Sequence, residues 1–320
     1  SNAYGHGFFN IAQICNDSSI VDRICVVNLD EALCLVNQKL TKKPIFILSF
    51  FDKDIKKLKI AASKNVIFPL YTLADAKLLN RVGEQLKKNI KVHIKIDTGT
   101  SRLGILPNEA VKFVKQVKQM KRLEIEGLWS HFASSEEDLV FTQEQNRRLN
   151  TVYEELKKQN ILIPLKHVAC SAAITTKKLF HQNAVRLGVS LFGLHANPHD
   201  KTLPLKPALS WYTTVIQVKT VPARTKVGYD GTFLTNKPTK LAILPVGYFD
   251  GYDRKLSNRG SVLIKGKICP IRGRICMNLC MVEVGNLAVQ PGDRAVLIGY
   301  SGRKSISADD LAGWCETINY

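Results

Sequence analysis

The order of elements predicts an α/β protein: a parallel (β/α)8 barrel followed by a smaller all-β domain. Three observations carry this. From residue 23 to about residue 193, short β-branched runs alternate with longer amphipathic segments, the pattern of consecutive βαβ units. From about residue 205 the texture changes to short strands punctuated by Gly and Pro, with a single late helical segment, "SADDLAGWCE". A chain of 320 residues with 45% hydrophobic content is long enough to bury both cores.

A helical stretch near residues 7–16 opens the chain. Strands are then expected at "RICVVNL" (23–29), "PIFILSF" (44–50), "VIFPLY" (66–71), "KVHIKID" (91–97), "LEIEGLWSH" (123–131), "LKHVACS" (165–171) and "AVRLGVSLFG" (184–193). Between them lie helical patterns such as "TLADAKLLNRVGEQLKK" and "TQEQNRRLNTVYEELKKQN". These runs leave the barrel one strand short of closure, and an open sheet would need no further one; in a closed barrel the remaining strand precedes the first helix, ahead of Ser1. The expected domains are 1–205 for the barrel and 206–320 for the β domain, with "HANPHDKTLPLKP" (195–207) as linker. "LSWYTTVIQVKTV", "KLAILPVGY", "GSVLIKGKICPIRG", "CMVEVG" and "RAVLIGY" supply the strands of the second domain.

The formal net charge of +19 invites a nucleic-acid reading, because Lys and Arg displace phosphate counterions. Placement argues against it. The lysines of "DKDIKKLKIAASKN" and "EAVKFVKQVKQMKR" interleave with apolar positions at helical spacing, as on a solvated outer face. A basic field still suits a small anionic ligand. No signal-peptide pattern or membrane-length apolar run is present, so the expected location is the cytoplasm. The eight cysteines lack paired C-x-x-C spacing, which points to buried reduced thiols and to no metal site.

Function in such a barrel gathers at the carboxyl ends of the strands. There the sequence places Lys95, Asp97 and Arg102 in "KIDTGTSRLG", His131 in "SHFAS", Ser171 in "CSAA" and Arg186 in "VRLG". Each has a plainer reading alone: Lys95 as an ion pair, His131 as a core histidine, Ser171 as a helix N-cap. Together they suit an anion, and Gly188 permits close backbone approach to a phosphate. Arg186 interrupts an apolar strand and needs a partner, since an unpaired buried guanidinium is costly. In the β domain, Tyr229 stands among glycines on a turn, and Met277 sits beside Asn278 in an apolar strand. Tyr229 alone reads as a packed aromatic, because a phenol ordinarily ionises near pH 10.

Taken in order across the whole chain, "SNAYGHG", "KIDTGTSRLG", "SHFAS", "HVACSAA", "VRLGVSLFG", "VGYDGTF", "PVGYFDGYDR", "GRICMN" and "TINY" resemble the alanine racemase family. The resemblance implies a TIM-type barrel with a C-terminal β domain and the cofactor pyridoxal 5'-phosphate (PLP). It also implies a cytoplasmic homodimer with active sites shared between subunits, and interconversion of L- and D-alanine supplying peptidoglycan of the cell wall. It implies that Tyr4, Ser171, Gly188, Val189 and Tyr320 hold the cofactor phosphate, and that Arg186 faces the pyridine nitrogen with His131 behind it. Arg102 and the Met277 amide are implied to bind the substrate carboxylate, Lys95 to be carbamylated, and Tyr229 to be one of two facial bases, reaching the site from the partner subunit.

The family's cofactor-bearing lysine ends the first barrel strand, directly before the segment matching Ser1 to Tyr4. That lysine and strand are therefore expected upstream of Ser1, the opening residues are read as native rather than a cloning remnant, and a short segment is expected after Tyr320. Cys170, Asn278 and Asp230 depart from the family's usual Asn, Asp and small residue. A racemase of another amino acid, a decarboxylase on the same barrel, and a noncatalytic PLP-fold protein remain alternatives.

Overall fold

The computed structural model describes residues 2–176, 178–197 and 202–320, so part of the expected linker, 198–201, lies outside the described residues. The chain divides into two compact units. One comprises Ser1–Leu191 with His195–Pro204, the other Phe192–Leu194 with Leu205–Tyr320.

In the first unit helices and strands alternate: α1 (Phe8–Asp17), β1 (Ile24–Val26), α2 (Leu29–Asn37), β2 (Ile45–Ile47), α3 (Ile55–Ser63), β3 (Phe68–Leu70) and α4 (Leu73–Leu86). There follow β4 (Ile90–Lys95), α5 (Pro107–Lys118), β5 (Leu123–Trp129), α6 (Leu139–Lys158), β6 (Leu165–His167) and α7 (Ser171–Thr176). β1 pairs with β2, and β3, β4, β5 and β6 pair in that order, all parallel. Single parallel bridges, Phe46 to Ile67 and His167 to Ala184, extend the series at both ends. These are the staves of a (β/α) barrel, right-handed crossovers carrying helices to its outer face.

The helices form where the sequence signals them. Asn28, Asp54, Thr72 and Asp138 each cap a helix by accepting a backbone N–H in its first turn, an interaction of about 1 kcal/mol. α5 begins with Pro107 and buries Ala110, Phe113, Val114 and Val117, one helical stripe. The stripe belongs to the same continuous apolar core as the fully buried Val92, Ile94 and Ile96 of the fourth stave.

The expected strand at 184–193 is corrected. Only Ala184 makes a strand bridge, and Val189–Phe192 is a 3-10 turn. The reason lies in the hydrogen bonds: the amide of Arg186 is taken by the Ala169 carbonyl and that of Gly188 by the Ser171 hydroxyl, which diverts the chain from a ladder.

The second unit contains β7 (Trp211–Thr214), β8 (Gln217–Val221), β9 (Lys226–Val227), β10 (Phe233–Leu234), β11 (Thr239–Leu244), β12 (Ser261–Ile264) and β13 (Lys267–Pro270). β14 (Cys280–Glu283), β15 (Arg294–Ser301), β16 (Lys304–Ile306) and α8 (Ala308–Cys315) complete it. β14, β11 and β8 form one antiparallel sheet, while β13, β12, β15 and β16 form another in which β7 also pairs with β15. β9 and β10 make a hairpin with Tyr229 at its tip. Met277 and Asn278 are corrected from strand to bend: β14 begins only at Cys280, and Met277 is exposed.

All eight cysteines are free thiols; Cys269, Cys280 and Cys315 are buried, but Cys25 is exposed, against expectation. No helix among the described residues is long and apolar enough to cross a membrane.

Truncating Ile94, which is fully buried in β4, should cost about 2–5 kcal/mol. Urea unfolding of the Ile94→Ala variant should show a lower midpoint with an unchanged slope.

Candidate active site

At the end of β4 the chain enters a tight loop built on one carboxylate. Asp97 Oδ1 accepts the amides of Gly99 (3.0 Å), Thr100 (2.9 Å) and Ser101 (3.1 Å), and Oδ2 accepts that of Arg102 (3.1 Å). Burial alone would raise the Asp97 pKa, but these donors outweigh it and hold the carboxyl below its usual range. Gly104, at φ +131°, lets the loop return, since a Cβ there would lie 2.6 Å from the Asp97 amide nitrogen. Asp97 thus shapes the segment that delivers Arg102.

Lys95 is buried at the end of the same strand and has no ion-pair partner among the described residues. Its Nζ lies 4.4 Å from the Trp129 ring centroid. Burial, and then the charges of Arg102 and Arg186, push its pKa down to about 8. The ion-pair reading of Lys95 is therefore corrected: it lies against an aromatic face, with two cations and the more weakly acting Asp97 carboxylate around it.

Arg186 is the junction of the site. Its Nη2 donates to the carbonyls of Ser130 and Val168, each at 2.9 Å, and faces His131 Nδ1 at 3.2 Å. Its Nη1 lies 2.5 Å from Nδ1 of His167, so His167 is the nearer imidazole behind Arg186. His167 Nε2 lies 2.9 Å from His93 Nδ1, and His93 Nε2 lies 2.9 Å from Glu126 Oε2. Lys91 and Arg23 close the far end on Glu126 Oε1, at 2.8 and 3.3 Å.

The two ends set the protons. A guanidinium only donates and a carboxylate only accepts. His167 must then accept at Nδ1 and donate from Nε2, and His93 must do the same; both rings are neutral. Burial lowers the pKa of both, more strongly for His167. The His93 hydrogen bond is the main cause that holds Glu126 down at about 2. Partial burial, and then the charges of Arg186, Arg102 and Lys95, push His131 down to about 3. Burial brings Arg186 itself to about 10, which leaves it charged at neutral pH.

Local backbone makes room for this chain. The β4–β5 register shifts between Val92 and His93, so Glu126 is the extra residue of a bulge, on the same face as Glu124, with Lys91 reaching both. His93 pairs with Gly127, where a Cβ would come within 2.7 Å of the imidazole. His93, Glu126 and His167 were not among the site residues expected from sequence. Their signal was present: a histidine and a glutamate interrupting apolar strands, the anomaly that singled out Arg186.

On the other flank, Ser171 is the first residue of α7, and its Oγ accepts the Gly188 amide at 2.9 Å rather than capping its own helix. A Cβ on Gly188 would lie 3.0 Å from the Tyr4 hydroxyl and 3.6 Å from Ser171 Oγ. Two hydroxyls therefore meet over a residue without a side chain, and Val189, buried, begins the following turn. A small residue and two hydroxyls are thus gathered at one point, with the Gly188 and Ser190 amides both directed at Ser171 Oγ. The first unit thus brings together Tyr4, Lys95, Arg102, His131, Ser171, Arg186, Gly188 and Val189, while Tyr229, Met277 and Tyr320 belong to the second unit.

Fold and site together are those of a (β/α) barrel that gathers cations, neutral imidazoles and hydroxyls at its strand ends. The alanine racemase N-terminal domain matches residues 1–196 and the C-terminal domain matches residues 208–320. The chain belongs to the alanine racemase family. It is 40% identical to the alanine racemase of Halothermothrix orenii, covering 100% of this chain and 84% of that one. The Streptomyces lavendulae enzyme superposes with a TM-score of 0.93 at 27% identity, covering 100% of this chain and 84% of that one. The Bartonella henselae alanine racemase, solved with covalently bound pyridoxal phosphate, superposes at 0.87 with 27% identity, covering 99% of this chain and 86% of that one.

Two outcomes are expected. The three imidazoles have folded-state pKa values below the 6.5 of the unfolded chain, so the unfolded chain binds more protons and stability is lost as pH falls through 6.5 toward 3. Melting temperatures at pH 7 and pH 5 should differ less in His131→Asn than in the parent protein. In Glu126→Gln, Arg186 still fixes His167 Nδ1 as an acceptor, so His93 Nε2 must still donate and the amide oxygen turns toward it. Both imidazoles should therefore keep Nε2–H, which nitrogen-15 NMR of the rings reports directly, and the melting temperature should fall because an amide replaces the carboxylate that Lys91 and Arg23 pair with.

Proposed function

We propose that this chain interconverts L- and D-alanine with PLP, as one half of a homodimer, and so supplies D-alanine for peptidoglycan. The observation that carries the reading is Arg186, a half-buried donor-only group held by neutral imidazoles and backbone carbonyls beside the Tyr4–Ser171–Gly188 cluster. The residues present fit the cofactor. Ser171 Oγ uses its acceptor capacity on the Gly188 amide, which leaves its O–H to donate to a phosphate oxygen.

Tyr4, Ser171, Gly188, Val189 and Tyr320 would hold the phosphate. When bound, PLP supplies the electron sink that acidifies the substrate's α-C–H. Arg186 would offer the ring nitrogen an N–H without surrendering its proton, a weaker pull than full protonation, which favours return of the α-proton over further chemistry. Arg102, set by Asp97, would bind the substrate carboxylate, with the Met277 amide on its other oxygen. Lys95 at about 8 keeps a neutral fraction near physiological pH, the form that adds carbon dioxide. A carbamate there would turn repulsion with Arg102 into attraction.

Racemisation needs a base on each side of the α-carbon. Tyr229 serves one side, reaching the site from the partner subunit, and the lysine that the family resemblance places ahead of Ser1 serves the other.

The full open reading frame, purified with PLP, should exchange the α-proton of alanine with deuterium from solvent and release no carbon dioxide. Failure to exchange alanine while another amino acid exchanges would move the specificity. Tyr229→Phe should lower kcat on the order of a hundredfold or more. Because the two enantiomers are equally stable, kcat/KM must fall equally in both directions. The assignment is read instead from the primary deuterium isotope effect, which should change for one α-deuterated enantiomer and not the other. Equal isotope effects in the parent and the variant would remove Tyr229 from this role.

A further inference from the structure

The Tyr229 hairpin of the second unit is gripped by three successive residues of the segment that also carries Met277. Arg272 lies over the Phe233 ring at 4.5 Å and is itself held by Glu283 at 2.7 Å. Gly273, at φ +77°, lets its backbone approach Val227 so closely that a Cβ would lie 2.5 Å from the Val227 carbonyl oxygen. Arg274 Nε lies 2.8 Å from Asp230 Oδ2, an ion pair whose angle is too poor for a hydrogen bond. From the other strand of the turn, a Cβ on Gly228 would lie 3.0 Å from the Arg274 amide nitrogen. Asn258 stitches the two sides together, accepting the Gly273 amide at 2.6 Å and donating to the Thr232 hydroxyl at 3.1 Å.

Asp230 is the informative residue. It follows Tyr229 and adopts the left-handed conformation, φ +60° and ψ 2°, between two glycines that also have positive φ. Glycine would take that conformation at no steric cost, so an aspartate there is retained for its side chain. That side chain reaches Arg274, three residues before Met277.

We infer that Asp230 and Arg274 are positioning residues that strap the Tyr229 turn to the Met277 segment, so the proton-handling phenol and the carboxylate-binding amide keep a fixed spacing. The inference rests on the reading of Tyr229 as a facial base. The pair is partly exposed, at 37% for Arg274 and 63% for Asp230, so its effect is modest and salt-sensitive.

The test uses the PLP-loaded enzyme from the full open reading frame. Asp230→Asn keeps the side-chain shape and tolerates the left-handed backbone but removes the charge. Its kcat should fall about two- to fivefold at low salt, with little change in KM, and the gap to the parent should close as ionic strength rises. Arg274→Gln should do the same, and the double variant should be no worse than either single one. In a Tyr229→Phe background, Asp230→Asn should have no further effect on kcat.

A second readout is independent of turnover: amide hydrogen exchange at Gly231 should quicken severalfold in Asp230→Asn. Unchanged exchange, or a kcat loss that persists undiminished in the Tyr229→Phe background, would overturn the strap. If Tyr229→Phe itself leaves the isotope effects untouched, the facial-base reading has failed, and the exchange data then judge the strap alone.

Discussion

A single constraint organises the barrel unit: a guanidinium that can only donate is joined to a carboxylate that can only accept, through two rings that must therefore both be neutral and point the same way. From Arg186 through His167 and His93 to Glu126, no member can change tautomer without placing two donors or two acceptors against each other. The half-buried cation is thus compensated at a distance, with its counter-charge on Glu126 and additional cations at the far end. Isolated, each of these groups would be costly to bury; joined, they satisfy one another.

The surrounding charges follow from that arrangement. Arg186, Arg102 and Lys95 act together on His131 and keep it neutral, and the two arginines keep Lys95 easier to deprotonate than a free lysine. The result is a cationic floor with neutral imidazole donors beside a hydroxyl cradle, an environment suited to a phosphate at one side and a carboxylate at the other. The second unit supplies groups of a different kind, an exposed phenol on a hairpin tip and an exposed segment around Met277.

Much of this was legible in the chain. Alternating apolar runs and amphipathic helices gave the barrel, because burial on both faces of a parallel stave leaves a nearly continuous apolar run. The polar residues at strand ends, Lys95, Arg102, His131, Ser171 and Arg186, stood out for the same reason. Pairing within the site was not legible. His167 sits one turn of chain from the expected Ser171, yet its approach to Arg186 depends on a segment that sequence assigns to a strand and that hydrogen bonds from Gly188 and Arg186 pull out of one. Glu126 shares the face of Glu124 by ordinary alternation, but its place beside Gly127 opposite His93 depends on a register shift, and a bulge leaves no periodic trace in a run as short as "LEIEGLW". Met277 was misplaced because an apolar flank reads as strand even where the chain bends.

The extra residue at Glu126 has an evolutionary consequence. Removing any one position from the first half of β5 would erase the bulge, and the two-residue alternation would carry the carboxylate to the helix-facing side while leaving the stave otherwise apolar and well paired. Homologues should therefore tolerate substitution in this stretch far better than insertion or deletion, so that its length, more than its lettering, is what descent preserves.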